Sequence, residues 1–173
     1  MLKWIAAQLV GRAEKRIGVE LDYARKISQT DIRLFMRYGK IFAFLAPNRN
    51  VPPDAYHTAR LRGAISADCG TCVEAEINLA QAAGVSGEII NAVLGTSYSD
   101  LPDSLRAVAE LADAVTAAHT DAADAREKII SAYGEAGLIE ICFALNGAAL
   151  LPGIKRSMGY ATVCNLDTLR KLA

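Results

Sequence analysis

Three features of this chain predict an all-α fold: its alanine content, its helical spacing of apolar residues and its lack of strand-like segments. Alanine accounts for 31 of the 173 residues, whereas aromatic residues make up 6%. Alanine has the highest helix propensity and is depleted in strands. Apolar residues recur at intervals of three and four, and no segment of useful length alternates with a period of two. The length fits a single domain over 1–173, because a chain of ~150 residues already buries about two thirds of its unfolded surface.

The first 30 residues are predicted to form a helical extension. A helix over the N-terminal segment should end at Gly18, and a short helix should follow over 20–29. The first helix carries an apolar stripe with helical spacing, formed by Leu2, Ile5, Leu9, Ala13 and Ile17. We expect this stripe to pack on the core or against another subunit, with the basic residues on the other face.

Proline and glycine set the predicted limits of the central helices. A helix over 31–44 should stop before 46–53, where three prolines prevent helix formation. The next helix should begin at Pro53 or Asp54 and run to about residue 66, because proline is well suited to a first helical turn. A further helix should start near Asp68 and end before Gly84.

The C-terminal half is predicted to hold four more helices. They cover 87–94 with Ser86 as the cap, the region around 105–115, a segment from 120 or 121 to about 133, and a segment reaching about 153. An interruption at Gly134 or Gly137 should separate the last two. Residues 138–145 are apolar nearly all round, which predicts a helix that is buried or lies in an interface.

The net charge is zero, since 19 basic residues balance 19 acidic ones. This gives no overall reason to bind nucleic acid or an anionic membrane. The charges are unevenly placed, however: the net charge is +7 over 1–62, −10 over 63–154 and +3 over 155–173. The two parts are either separate solvated faces or surfaces that meet, within the chain or between subunits.

No apolar run approaches the ~20 residues of a membrane span, and no signal peptide is evident, so a cytoplasmic location is predicted.

Four cysteines are present, and two of them form a Cys-x-x-Cys pair, Cys69 and Cys72. A pair at the first turn of a helix is placed where free N–H groups and the helix dipole stabilise a thiolate. Redox chemistry, metal binding and a purely structural role all fit this spacing. A thioredoxin fold is excluded, because the βαβ context is missing. Cys142 and Cys164 are expected to be structural thiols.

His57 and Glu76 are the residues that the spacing brings toward this pair. Glu76 follows Cys72 by four residues, on the same helix face, and His57 lies on the preceding helix. An acid and an imidazole beside a thiol can activate it as a nucleophile. The same four side chains, Cys69, Cys72, His57 and Glu76, offer two S, one N and one O to zinc, so a zinc-binding module is one alternative. The other is a non-catalytic helical assembly protein, in which the N-terminal helix mediates the contacts. His119 is expected at an exposed helix end.

The segment over about 53–95 resembles the AhpD-like alkyl hydroperoxidase and carboxymuconolactone decarboxylase superfamily. That family's motif is Glu, eleven residues, Cys-x-x-Cys, three residues and His. This chain has His57, eleven residues, Cys69-Gly-Thr-Cys72, three residues and Glu76, so the acid and the imidazole have exchanged places. The run from Ala80 to Ile90 is also similar, and over 30–160 the order of helices agrees.

The resemblance implies an all-α fold, assembly into trimers or hexamers, and peroxidase chemistry at the two thiols. Cys72 would attack a hydroperoxide and Cys69 would resolve the sulfenic acid, with His57 and Glu76 as the proton relay and an external thiol or dithiol as reductant. No cofactor is predicted. Elementary electrostatics favours the other cysteine as the thiolate, since Cys69 is nearer the helix terminus and should feel the dipole more strongly. An ionised Glu76 close to Cys72 would also oppose its activation.

Overall fold

All regular secondary structure is helical over the residues that the computed structural model describes, 2–46 and 49–173. This confirms the predicted all-α class. The helices are α1 (Leu2–Ile17), α2 (Asp22–Thr30), α3 (Ile32–Gly39), α4 (Ile41–Phe44), α5 (Pro53–Ser66), α6 (Gly70–Ala82), α7 (Gly87–Val93), α8 (Asp103–Thr116), α9 (Ala123–Ser157) and α10 (Leu166–Leu169), with a 3₁₀ turn at Arg170–Leu172.

Most helices begin or end at the glycine, serine or proline residues that were predicted to set their limits. Gly18 and Gly84 both take positive φ, of 72° and 87°, directly after α1 and the α6 C-cap. The Ser86 hydroxyl accepts a hydrogen bond from the backbone N–H of Ile89 and caps α7. Of the two glycines considered for the C-terminal interruption, Gly134 makes it, with φ 71° and ψ 177° inside α9. The predicted break at 46–53 ends where α5 begins at Pro53, and its residues 47 and 48 lie outside the described part.

The predicted helix over 31–44 is two shorter helices, α3 and α4, which meet at Lys40. There the backbone changes to i→i−3 hydrogen bonding, from Lys40 N–H to the Arg37 carbonyl and from Ala43 N–H to the Lys40 carbonyl. Gly39 precedes this point, and glycine in a helix interior is destabilising by about 1 kcal/mol relative to alanine. A weakened α-helical turn at Gly39 therefore accounts for the division.

The main core is built by α5, α8 and α9, with α6 and α7 packed around them. Small side chains let these helices approach closely. At the crossing of α5 and α9, a Cβ on Gly63 would collide with the Leu145 carbonyl oxygen. Helix α5 carries His57, and its central position in the core holds it against α6.

The four N-terminal helices form a separate layer with a small core of its own. Its buried residues are Val10, Tyr23, Ala24 and Tyr38, and the C-terminal part of α9 packs against them through Leu151 and Met158. The layer is joined to α6 by a hydrogen bond of 2.8 Å from the Asn78 amide to the Ile17 carbonyl. We call α1 to α4 the N-terminal layer.

The central part of the predicted apolar stripe of α1 does not pack on the core of this chain, and its packing against another subunit stays a prediction. Ile5 and Leu9 are 43% and 50% exposed, whereas Ala6 and Val10 are buried. The side chain of Leu2 is outside the described residues. The layer packs α1 through its smaller side chains, which leaves the larger apolar ones facing outward.

Helix α9 keeps a partly exposed apolar face. Ile139, Phe143 and Leu150 are between 42% and 51% exposed, and the Phe143 ring lies 4.5 Å from that of Phe44. By length and composition alone α9 is apolar enough to cross a membrane, although no run of that length was expected from the sequence. Half of its most apolar window is buried inside the chain, as in the core helix of a globular fold.

The basic and acidic parts of the sequence meet within the chain through α5. Arg60 pairs with Glu76 of α6, and Arg62 pairs with Asp113 of α8, each at 2.7 Å. The uneven charge distribution is therefore partly an intrachain contact.

Candidate active site

Cys69 and Cys72 lie at the start of α6 with their sulfur atoms 2.8 Å apart. Cys69 is the N-cap residue, and both cysteines are free thiols. Asp68, which has a φ of 47°, turns the chain into the helix. The observed helix start at Gly70 places the pair where the sequence predicted it.

The C-terminal segment holds the first turn of α6 in place. Gly70 N–H donates to the Thr162 carbonyl at 3.2 Å, and Thr71 N–H donates to the Thr162 hydroxyl at 3.1 Å. A Cβ at Gly70 would lie 2.6 Å from the Val163 carbonyl oxygen, so the approach of this segment requires glycine between the cysteines. The pairing also satisfies N–H groups that a helix N-terminus otherwise leaves free.

The contact between the two sulfurs shifts the pKa values of the two thiols in opposite directions. The hydrogen bond from the Cys72 thiol, followed by one from the Thr71 hydroxyl, holds the pKa of Cys69 well below its ordinary value. The same hydrogen bond, together with burial, raises the pKa of Cys72. Both directions favour an anion on Cys69 over one on Cys72, as does the position of Cys69 at the helix terminus.

Access favours the other sulfur. Cys69 is fully buried, whereas Cys72 is partly exposed and lines a cavity of about 530 Å³. The cavity lies between α6, the N-terminal layer and the C-terminal part of α9. A ligand in this space would contact Cys72, whereas Cys69 is not among the lining residues.

Lys155 was not singled out in the sequence, yet it lies at the thiol end of this cavity. It is 6% exposed, and its ammonium group donates a hydrogen bond to the Thr71 hydroxyl. It also lies 5.7 Å from the centre of the Tyr23 ring. Its positive charge lowers the pKa of Cys72, against the larger opposing effects of Cys69 and burial. A lysine that directly follows the uncharged stretch 141–154 of α9 is the sequence signal that could have identified it.

Glu76 reaches the cavity, but its partner is Arg60 rather than His57. The guanidinium group donates from Nε and Nη2 to the two carboxylate oxygens at 2.7 and 2.8 Å. Both side chains are buried, and Arg60 also donates to the Tyr56 hydroxyl at 3.2 Å. The guanidinium charge offsets part of the carboxylate's effect, although Glu76 still contributes to raising the pKa of Cys72.

His57 is buried beside this pair without joining it. Its ring lies edge-on to Tyr56, with the ring centres 5.3 Å apart, and its Nδ1 has no hydrogen-bond partner. Burial, with the Arg60 charge, lowers the pKa of His57 to about 4, so the imidazole is neutral at pH 7. No hydrogen bond joins His57 to Glu76 or to either sulfur within the described ranges, and it is not among the cavity-lining residues. The predicted relay through these two residues remains a prediction.

Two tyrosines from the N-terminal layer complete the wall near the thiols. The hydroxyl groups of Tyr23 and Tyr38 lie 2.6 Å apart, and both residues line the cavity. Burial raises the pKa of Tyr23 to about 12, with a smaller contribution from the nearby cysteine pair. These residues lie far from the motif in sequence, and no local pattern marked them.

The remaining sequence candidates have structural surroundings. Cys142 and Cys164 are partly buried against the main core, and burial raises the pKa of both thiols. His119 is exposed just beyond α8. Across the described part of the chain, no group of three or more His, Cys, Asp or Glu side chains is arranged to hold a metal ion, so the zinc reading gains no support.

No family model, curated protein or solved structure matches this chain. The geometry around the two thiols and the motif resemblance are therefore the features that point to a function.

Proposed function

We propose that this chain is a thiol-dependent peroxidase of the AhpD-like type, which reduces a hydroperoxide through the Cys69/Cys72 dithiol–disulfide couple. The observation that carries the proposal is the pair of free thiols 2.8 Å apart, with one of them lining a cavity. A pair so close needs little movement to form a disulfide. We place this antioxidant activity in the cytoplasm, where thiols are kept reduced between turnovers.

The first step uses Cys72 because it is the sulfur that a substrate can reach. Its proton passes to Cys69, and the Cys72 thiolate attacks the terminal peroxide oxygen. An S–O bond forms, the O–O bond breaks, and the alkoxide takes the proton from the Cys69 thiol and leaves as an alcohol, which returns Cys69 to the thiolate. Lys155, held at the Thr71 hydroxyl, supplies positive charge beside the developing thiolate.

The second step closes the disulfide. Cys69 attacks the sulfur of the Cys72 sulfenic acid, the S–S bond forms, and the S–O bond breaks, so that hydroxide takes a proton and leaves as water. An external dithiol then reduces the disulfide by thiol–disulfide exchange. In this scheme His57 and Glu76 retain their proposed place in proton transfer, with Arg60 holding the Glu76 carboxylate.

Replacing Cys72 by Ser is expected to lower peroxide consumption by roughly a hundredfold or more, because it removes the nucleophile. Cys69→Ser should still consume one equivalent of cumene hydroperoxide and accumulate a sulfenic acid that dimedone traps at Cys72. The measurements are peroxide loss, free-thiol titration and mass spectrometry of the trapped adduct. Cys142→Ser and Cys164→Ser are the matched controls and should retain the parent rate.

The opposite pattern would identify Cys69 as the nucleophile, with sulfenic acid in Cys72→Ser and none in Cys69→Ser. Reduced protein whose Cys69 and Cys72 thiols survive excess hydroperoxide would end the peroxidase proposal altogether.

We also propose that the chain assembles with copies of itself, as trimers or hexamers. The support is the exposed apolar face of α9, continued by Phe44, and the outward-facing residues Ile5 and Leu9 of α1. Phe143→Asp is expected to dissociate the assembly, because a carboxylate would be buried at the interface. Light scattering after gel filtration measures this, with the exposed residue Val163→Asp as the control. A parent chain that runs as a monomer would refute the assembly.

A further inference from the structure

The cavity at Cys72 has charged residues in its buried part and in its exposed part, and apolar residues along much of the remaining wall. Its buried end holds Cys72, Lys155 and the Arg60–Glu76 pair. Its exposed end holds Arg12 and Arg16 of α1, both of which are solvent-exposed lining residues. We call these two residues the α1 arginine pair.

The α1 arginine pair has no carboxylate partner within the described residues. Glu14, which lies between them in sequence, is paired instead with Arg25 of α2. Residues four apart on a helix lie on the same face, so the two guanidinium groups repel each other. An anion between them would relieve this repulsion and accept hydrogen bonds from both.

Much of the remaining cavity wall is apolar. It includes Ile17 and Leu21 of the N-terminal layer, Leu79 of α6 and Leu151 of α9, all of them partly exposed. The volume of about 530 Å³ is far larger than a peroxide group needs, since a water molecule occupies about 30 Å³. Apolar pockets of this size bury an extended organic ligand.

We propose that the cavity takes a long-chain carboxylate that carries a hydroperoxide group. The α1 arginine pair binds the carboxylate at the exposed end, the apolar wall contacts the chain, and the peroxide group lies at Cys72. The ligand class follows from the shape and charge of the cavity, while the peroxide group rests on the proposed function. The N-terminal layer thus selects the substrate on which the α6 thiols act.

The binding arm of the test needs no turnover. Cis-parinaric acid, a fatty acid that fluoresces in apolar surroundings, is titrated into the reduced protein alongside its methyl ester. We expect the acid to bind about tenfold more tightly than the ester, the size expected of two exposed ion pairs. Arg12→Gln/Arg16→Gln should abolish this preference and leave ester binding unchanged. Lys15→Gln, an exposed α1 residue outside the cavity, is the matched control and should keep the preference.

The turnover arm compares linoleic acid hydroperoxide with its methyl ester and with cumene hydroperoxide. The double variant should raise KM for the acid about tenfold and leave the rate with cumene hydroperoxide unchanged. Turnover of acid and ester at equal efficiency by the parent would overturn the substrate class while leaving the peroxidase intact. Arginine-dependent binding of the acid without any peroxide consumption would support the ligand class and refute the proposed function. Failure of parinaric acid to bind would overturn the inference.

Discussion

Replacing Glu76 by Gln is expected to lower the free energy of unfolding by about 3 kcal/mol. Arg60 is 9% exposed, and its guanidinium group would remain buried with no opposite charge. Breaking a buried ion pair by removing one partner typically costs ~3–5 kcal/mol, and Gln retains one acceptor, which favours the lower end. Urea unfolding at pH 7.5 measures the change.

The double variant Arg60→Met/Glu76→Leu is the informative control for this pair. Apolar residues of similar volume remove both buried charges, so stability should return to within ~1–2 kcal/mol of the parent. The half-exposed pair of Arg25 and Glu14 offers a comparison, since Glu14→Gln should cost much less. A Glu76→Gln protein as stable as the parent would show that water reaches Arg60. Peroxide turnover of the double variant then reports whether the pair contributes to chemistry.

Replacing His57 by Leu is expected to flatten the pH dependence of stability between pH 7.5 and 4. The folded-state pKa is about 4 and the unfolded value about 6.5, so below pH 6.5 the unfolded chain binds a proton that the folded chain does not. The parent should therefore lose roughly 3 kcal/mol from this group as pH falls through that window, and the variant should not. Chemical denaturation at a series of pH values measures the difference between the two proteins.

The lowered pKa of Cys69 falls in the same pH window, so the same comparison is made in a Cys69→Ser/Cys72→Ser background. The effect of His57 should be the same size in both backgrounds, because its pKa is set mainly by burial rather than by the thiols. A difference between parent and His57→Leu that stays constant from pH 7.5 to 4 would contradict the burial of a neutral imidazole. Removing the unpartnered Nδ1 is otherwise expected to be neutral or stabilising at pH 7.5.

Local chemistry made the helix limits and the thiol pair predictable. Gly18, Gly84 and Gly134 take conformations that few other residues adopt, and Ser86 supplies a cap, so each acts on its own few neighbours. The Cys-x-x-Cys spacing likewise places both sulfurs on one turn of α6. Such features depend on adjacent residues and can be read from the sequence.

Long-range contacts account for what the sequence did not reveal. Lys155 meets Thr71 across 84 positions, and Tyr23 and Tyr38 reach the cavity from helices outside the motif. The stripe of Ile5 and Leu9 indicated an apolar face on α1, but spacing alone does not say what covers that face. The pairing of Arg60 with Glu76 depends on how α5 and α6 pack, and no local pattern in the sequence marks it.

The N-terminal layer has its own small core and touches α6 through few polar contacts, such as the one between Asn78 and Ile17. In the proposed function, reactivity and selectivity would belong to different stretches of the chain. The exposed residues of α1 can be substituted to reshape the entrance without contacting the thiols, whereas Tyr23 and Tyr38 line the wall beside them. On this proposal, the exposed face of α1 is the part of the molecule in which new substrate preferences can evolve, or be engineered, at little cost to the thiol pair.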